Sequence, residues 1–274
     1  MAAVGSWAGV TGHRFAASTL ILLAALGSIP ASAAPDPVQT SPLSAVVGVE
    51  ATAPADAHSA ATLGTKRNGS GVVIDATGLV LTAGYLVVDT DNVVLTLTDG
   101  RKVPASPIAY DSDSGFGLVR ASAPLGVNPA TLGDSKDIAP NDRVLIASAD
   151  GESAAVPAIV VARHTFIGYW EYMLENAIFT APIYPAFGGA ALFAADGRLV
   201  GIGSLAMLDV ADGSQPVPGN MFIPIDRLKR ILGDLLDRGR APASRHPWIG
   251  VNTQELAGGR LLVTDVSEGG PCAR

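Results

Sequence analysis

At 274 residues, 48% hydrophobic and 16% charged, the chain can bury a sizeable core, which excludes a disordered or fibrous protein. Its formal charge of -7 comes without a Lys/Arg cluster able to replace phosphate counterions, which excludes nucleic acid as a partner. With 31 glycines, 19 prolines and 5% aromatic residues, the composition suits many short strands joined by turns rather than a helical bundle.

The first segment reads as an export signal. After His13-Arg14, the stretch Phe15–Ile29 is apolar apart from small residues and falls short of the roughly 20 residues that span a bilayer. Ala31-Ser32-Ala33 supplies a small-x-small cleavage pattern. Residues 1–33 are therefore expected to be a signal peptide and Ala34 the mature start. This predicts an exported protein, periplasmic or secreted, with no membrane association beyond the signal. Cys272 is the single cysteine, so no internal disulfide is available and stability must come from the core.

Residues 34–43 are rich in Pro and Ala and are expected to be a disordered lead-in. Val46–Val49 predicts a short strand, followed by a polar loop through Asn68. Gly69–Asp75 opens a strand, Thr77-Gly78 turns it and Leu79–Ala83 returns. Val93–Leu97, Asp99-Gly100 and Lys102–Ile108 predict a second hairpin. Pro124–Asn128 and Pro140-Asn141 punctuate a linker, after which Arg143–Ser148 and Val156–Arg163 read as strands.

Ile178–Ile183 is an apolar strand that leads into the Gly-rich bend Ala186-Phe187-Gly188-Gly189-Ala190. Ala191–Phe193 and Leu199–Ile202 flank Asp196-Gly197, a strong hairpin signal, and Ser204–Val210 and Met221–Ile225 complete the strands. Ile225, Leu228, Leu232, Leu235 and Leu236 recur at helical spacing between Pro224 and Arg238-Gly239, which predicts a helix. Trp248–Val251 and Leu261–Val266 predict two further strands.

Three of these segments resemble, in order and spacing, the trypsin-like serine proteases of the HtrA (DegP-like) group. Gly69, Ser70, Gly71, Ile74, Gly78, Leu81, Thr82 and Val87 fit the group's Gly-Ser-Gly-x-x-Ile strand and Leu-Thr-x-x-His-Val-Val segment. Leu97 to Arg101 fit Leu-x-Asp-Gly-Arg, and Asp111 and Leu118 fit Asp-x-x-x-Asp-x-Ala-Leu. Ile183, Pro185, Gly189, Ala191, Leu192, Gly197, Leu199, Gly201 and Ile202 fit the nucleophile segment, an Ile-x-Pro run, Gly-Asn-Ser-Gly-Gly, Ala-Leu and Leu-x-Gly-Ile. The resemblance implies an all-β, two-barrel trypsin-like (chymotrypsin-type) domain over 44–240, ending in a short helix. Residues 247–274 then resemble the start of a C-terminal PDZ-like module, too short as it stands to close a peptide groove. Whether Arg274 is a natural end stays open. A homo-oligomer, a trimer by resemblance, is implied as well.

The same alignment places non-catalytic residues at all three positions of the triad. Tyr85 stands where the group has its general base, Gly115 where it has the orienting aspartate, and Gly188 where it has the nucleophilic serine. Acyl transfer on this fold needs a hydroxyl nucleophile, a base, a group that orients the base and amide donors for the oxyanion. Gly188 has no side chain, Gly115 can orient nothing, and a phenol of reference pKa about 10 is a poor acceptor of a serine proton. In subtilisin, loss of the serine or the histidine alone lowers turnover by about 10⁶. The expectation is an exported pseudoprotease that binds polypeptide or a protein partner, or regulates an active relative. The alternative is an active serine-type endopeptidase, serving proteolysis and protein quality control, with an unrecognised site.

Further candidates are weaker. Ala186, Gly188 and Gly189 form the oxyanion turn by resemblance, and Gly188-Gly189 can adopt the positive φ such bends need. Without a nucleophile this turn is either a nest of amide donors or a plain structural turn. Ser204 falls near the specificity pocket by resemblance. Phe166–Tyr172 holds four aromatics in seven residues, among them adjacent Tyr169 and Trp170, which either anchor a binding surface or pack a loop onto the barrel. His58, His164 and His246 are scattered, and Asp111 and Asp113 read as loop solvation or turn formers. Cys272 and these histidines have no metal-ligand spacing, so neither a metal nor a cofactor is expected.

Overall fold

The computed structural model describes residues 41–149, 155–167, 173–211, 215–241, 249–256 and 260–273. The expected signal peptide, most of the expected lead-in, Tyr169, Trp170 and His246 lie outside them.

Strands β1 (Val46–Thr52), β2 (Lys66–Val73), β3 (Leu79–Ala83), β4 (Asn92–Thr96), β5 (Lys102–Asp111) and β6 (Phe116–Ala121) close into one barrel in the order β1-β2-β3-β6-β5-β4. Strands β7 (Arg143–Ala147), β8 (Val156–Phe166), β9 (Leu174–Ala181), β10 (Ala191–Ala194), β11 (Leu199–Met207) and β12 (Gly219–Pro224) close a second in the order β10-β11-β12-β9-β8-β7. Every pairing within the two barrels is antiparallel. Closure leaves neither sheet with an open edge. The all-β double barrel expected from the sequence is the fold observed.

Register follows the apolar pattern. In β1 Val47, Val49 and Ala51 turn inward opposite Gly71, Gly69 and Arg67, while Glu50 and Thr52 face solvent. All five residues of β3 are buried, because β3 also approaches β11 of the other barrel. Leu79, Leu81, Phe116 and Leu118 fill the first core, and Ile146, Ile178, Leu192 and Phe222 the second, each at 2% exposure or less. Burying each such side chain contributes about 1.5–3 kcal/mol.

Helix α1 (Ala60–Leu63) interrupts the polar loop after β1, and helix α2 (Gly84–Val87) follows β3 directly. Helix α3 (Ile225–Arg238) begins after Pro224 and ends at Gly239, whose left-handed φ of 69° lets its N–H reach the Leu235 carbonyl at 3.0 Å. It buries Ile225, Leu228 and Leu235 and packs on β5, β11 and β12, so it touches both barrels. A separate two-stranded sheet, β13 (Val251–Leu256) and β14 (Arg260–Val266), follows. Among the described residues, no helix is long and apolar enough to cross a membrane.

Several boundaries differ from the expected ones. β2 starts at Lys66, inside the expected loop, because its first residues complete the ladder with β1. Ser204 lies within β11, which runs on to Met207 against β12, so no separate strand begins there. Pro42–Ala45 forms a 3-10 turn that buries Ala45 at the edge of the expected lead-in. Leu236 is 44% exposed, since it projects away from the buried face of α3.

Candidate functional site

The three positions singled out at the sequence level meet at the junction of the barrels. β3 runs straight into α2, whose first turn carries Tyr85. The N–H of Gly84 donates to the Gly115 carbonyl at 2.7 Å, which sets the β5–β6 turn against the start of α2. That turn is built locally. Asp111 accepts from the Ser114 N–H at 2.9 Å through its carboxylate and from the Gly115 N–H at 2.8 Å through its carbonyl, and Gly115 takes φ 77°. Asp111 is thus the turn former that its sequence context suggests. The ring of Tyr110 lies so close to Gly84 that a β-carbon there would overlap it.

The far end of α2 is held by Arg67, 4% exposed, reaching inward from β2. Its guanidinium donates to the carbonyls of Tyr85 (3.0 Å), Val88 (2.6 Å) and Gly64 (3.1 Å) and to the Ser59 hydroxyl (2.8 Å). Burial pushes its pKa below the usual arginine value, and the charge of Asp89 opposes that shift. A cation at this end of the helix also meets the negative pole of its carbonyls.

The bend from Ala186 to Ala190 is anchored on both sides. Within the second barrel, the Gly189 N–H donates to Gly203 (2.9 Å), the Gly203 N–H to Ala190 (2.8 Å) and the Ala190 N–H to Phe187 (2.9 Å). From the first barrel, the Ser70 N–H donates to the Gly188 carbonyl at 2.8 Å, and the Ser70 hydroxyl accepts from the Ala149 N–H at 3.0 Å. The Gly69-Ser70-Gly71 motif gains its physical reason here. A β-carbon on Gly69 would sit 2.6 Å from the Gly188 carbonyl oxygen, and one on Gly189 would overlap the Ser70 carbonyl. Of the two glycines expected to take positive φ, only Gly189 does so, at 71°.

Tyr85 spans the gap between these pieces. Its hydroxyl donates to the Ser204 carbonyl at 3.2 Å and lies 2.8 Å from the point a β-carbon on Gly188 would occupy. Tyr85, the Gly115 backbone and Gly188 therefore share one locus. Ser204 is only 1% exposed and meets Tyr85 through its backbone carbonyl, so it offers no open pocket wall. The N–H groups of Ala186 and Gly188, at the half-open face of the bend, donate to no group among the described residues. Chemically, this locus offers amide donors and a phenol. It places no side chain at 188 and no imidazole or carboxylate at 85 and 115.

His164 stacks on Phe179, ring centroids 4.1 Å apart at 15°. Among the described residues, no cluster of three or more His, Cys, Asp or Glu could hold a metal ion.

Sequence reasoning missed Arg67, read as part of a polar loop, and the buried pair Tyr184–Asn220. The Tyr184 N–H donates to Asn220 Oδ1 at 2.6 Å, Asn220 Nδ2 returns a bond to the Tyr184 carbonyl at 3.1 Å, and Tyr184 Oη reaches Ser148 Oγ at 2.7 Å. These contacts fix the entry to the bend across 36 residues of chain, and no local pattern signals them.

Two six-stranded barrels meeting at such a junction define a trypsin-like fold. Residues 69–202 match the family model described as "Trypsin-like peptidase domain". The chain is 29% identical over 229 residues to serine protease PepD of Mycobacterium tuberculosis, covering 75% of this chain and 48% of that protein. It is 28% identical over 219 residues to putative protease Do-like 14 of Arabidopsis thaliana, with 75% and 48% covered. With serine endoprotease DegS of Escherichia coli it is 26% identical over 218 residues, with 75% and 61% covered. The structure of the HtrA-type protease AlgW with a tripeptide superposes with a TM-score of 0.58 at 22% identity, covering 82% of this chain and 73% of that one, which shows the shared fold. The chain is similar to the HtrA-type trypsin-like serine proteases. It spans about half the length of the first curated relatives it matches.

Proposed function

We propose that this chain is an exported HtrA-like pseudoprotease that binds polypeptide without cleaving it, or regulates an active relative. The observation that carries this reading is the Tyr85 hydroxyl in the space beside Gly188, bonded to a backbone carbonyl where a nucleophile and base would need to face each other. The N–H groups of Ala186 and Gly188, without an acceptor among the described residues, suit a bound carbonyl or carboxylate. Export rests on residues 1–33 and on relatives such as the probable periplasmic serine endoprotease DegP-like of Halomonas elongata. The β13–β14 hairpin is read as the opening of a PDZ-like module, and a homo-oligomer is the assembly proposed.

The test is hydrolysis of an unfolded, fluorophore-quenched protein by the chain from Ala34 onward, beside a Tyr85→His, Gly115→Asp, Gly188→Ser triple variant. The smaller imidazole opens room for a β-carbon at 188. Aspartate is among the residues that best tolerate the left-handed φ of 77° at 115. The expected result is a silent wild type, a variant that cuts, and wild type that retains unfolded protein on a binding assay. Cleavage by wild type that stops with a serine-directed inhibitor would instead make this an active endopeptidase.

A further inference from the structure

A groove of about 550 Å³ runs along the N-terminal half of α3, away from the Tyr85–Gly188 locus in its lining residues. It shares Glu175, Arg227 and Arg230 with an adjoining cavity of about 370 Å³. The chain as a whole carries a charge of -7, yet this groove is lined by five cationic side chains and three carboxylates.

The carboxylates are largely spent. Lys229 engages Asp134 at 2.5 Å and Asp226 at 3.1 Å, and Asp226 also accepts the Lys136 N–H at 2.9 Å. That leaves the side chains of Lys136, Arg163, Arg227 and Arg230 facing Glu175. None of the four is in an ion pair among the described residues. Asp111 and Asp113, in the adjoining cavity, add negative charge on the far side of Arg227 without reaching ion-pair distance.

Arg163 is held ready in place. Its guanidinium donates to the carbonyls of Ser135, Ile138 and Asn176, none of which carries a countercharge, and its Nε is buried without a partner. Arg227 and Arg230 sit three residues apart on one helix, a spacing at which like charges repel. Burial lowers the pKa of both Arg163 and Arg227, and Arg230 lowers that of Arg227 further. An arrangement of this kind is relieved by anions from outside the chain. Guanidinium groups pair bidentately with carboxylates, and α3 turns the positive end of its dipole toward the same groove.

We propose that the α3 groove binds an acidic polypeptide segment through Arg163, Arg227 and Arg230. Three guanidinium groups, Arg163 from β8 and Arg227 and Arg230 from α3, line one groove of about 550 Å³ and suit several carboxylates carried on one chain better than a single small oxyanion, while Asp111 and Asp113 keep that chain out of the adjoining cavity. The proposal does not depend on whether the Tyr85–Gly188 locus is catalytic.

The probe is a fluorescein-labelled hexaglutamate peptide, read by anisotropy against the full chain at low salt, with hexaglutamine as the neutral control. The expected result is saturable binding of hexaglutamate only, weakened at least tenfold in Arg227→Gln/Arg230→Gln. Neither arginine's side chain makes a hydrogen bond or ion pair among the described residues, so this variant should fold, which circular dichroism checks. Lys102→Gln/Arg143→Gln removes two positive charges elsewhere and should bind as wild type does. Absence of hexaglutamate binding overturns the proposal. So does equal loss in both double variants, which would reduce the effect to net charge. Displacement of the peptide by inorganic phosphate at low millimolar concentration would assign the groove to a small oxyanion and also overturn it.

Discussion

The phenolic oxygen of Tyr85 lies 2.8 Å from where a β-carbon on Gly188 would be, closer than any carbon there could sit. The two residues are therefore complementary. The absence of a side chain at 188 makes room for the hydroxyl that 85 directs to the Ser204 carbonyl. Reverting one position without the other should be costly.

Gly188→Ser in the wild-type background should swing Tyr85 out, break its bond to Ser204 and destabilise the chain by about 1 kcal/mol. Combined with Tyr85→His, the same substitution should cost less than the sum of the single changes, by at least about 0.5 kcal/mol. Urea denaturation of the four proteins in the cycle measures both. Additive costs would show that the two sites do not compete for space.

Gly189→Ala meets two penalties at once, a φ of 71° and a β-carbon overlapping the Ser70 carbonyl. A loss of about 3 kcal/mol is expected from strain and overpacking together. Gly233→Ala is the control. It lies on α3 with no atom within 4 Å of an added β-carbon, and should raise the thermal midpoint slightly through helix propensity.

Arg67→Met keeps the bulk of the side chain and removes its donors. The carbonyls of Tyr85 and Val88 would be left unpaired, at a cost of about 2 kcal/mol. Amide exchange should quicken over residues 84–88 more than in β3, because the arginine holds the helix end while the sheet ladder holds the strand.

Asp226 should give stability a measurable pH dependence. Burial works against its charge, but hydrogen bonds from Ser135 and Lys136 and the nearby Lys229 outweigh it and hold the carboxyl below its ordinary value. A carboxyl depressed in the folded state stabilises the fold above the unfolded-state value of about 4 and ceases to do so as pH falls through the folded-state value. The thermal midpoint of wild type minus that of Asp226→Asn should therefore be largest near neutrality and shrink steadily below about pH 4. A difference independent of pH would show that the charge of Asp226 is not what matters.

Much of this protein was legible before any coordinates. The hairpins at 69–83 and 191–202 follow from short apolar runs with a turn signal between them, and α3 follows from period 3.6 between Pro224 and Gly239. These patterns are local, because strand and helix periodicity and the φ preferences of Gly and Pro act over a few residues. The unusual residues at 85, 115 and 188 were visible for the same reason, standing out from motifs a few residues long.

What the tertiary structure alone decided is how distant segments meet. Tyr85 bonds to a residue 119 positions away, and Ser70 reaches Gly188 and Ala149, because barrel closure and register bring β2, β3 and β11 together. Arg67 reads as solvated from its neighbours, yet the ladder with β1 turns it inward under α2. The cationic groove depends on which acids Lys229 engages across 95 residues. Sequence periodicity sets which face of each element is buried, while the pairing of charges and the fit of Tyr85 beside Gly188 arise only when two closed barrels are pressed against each other.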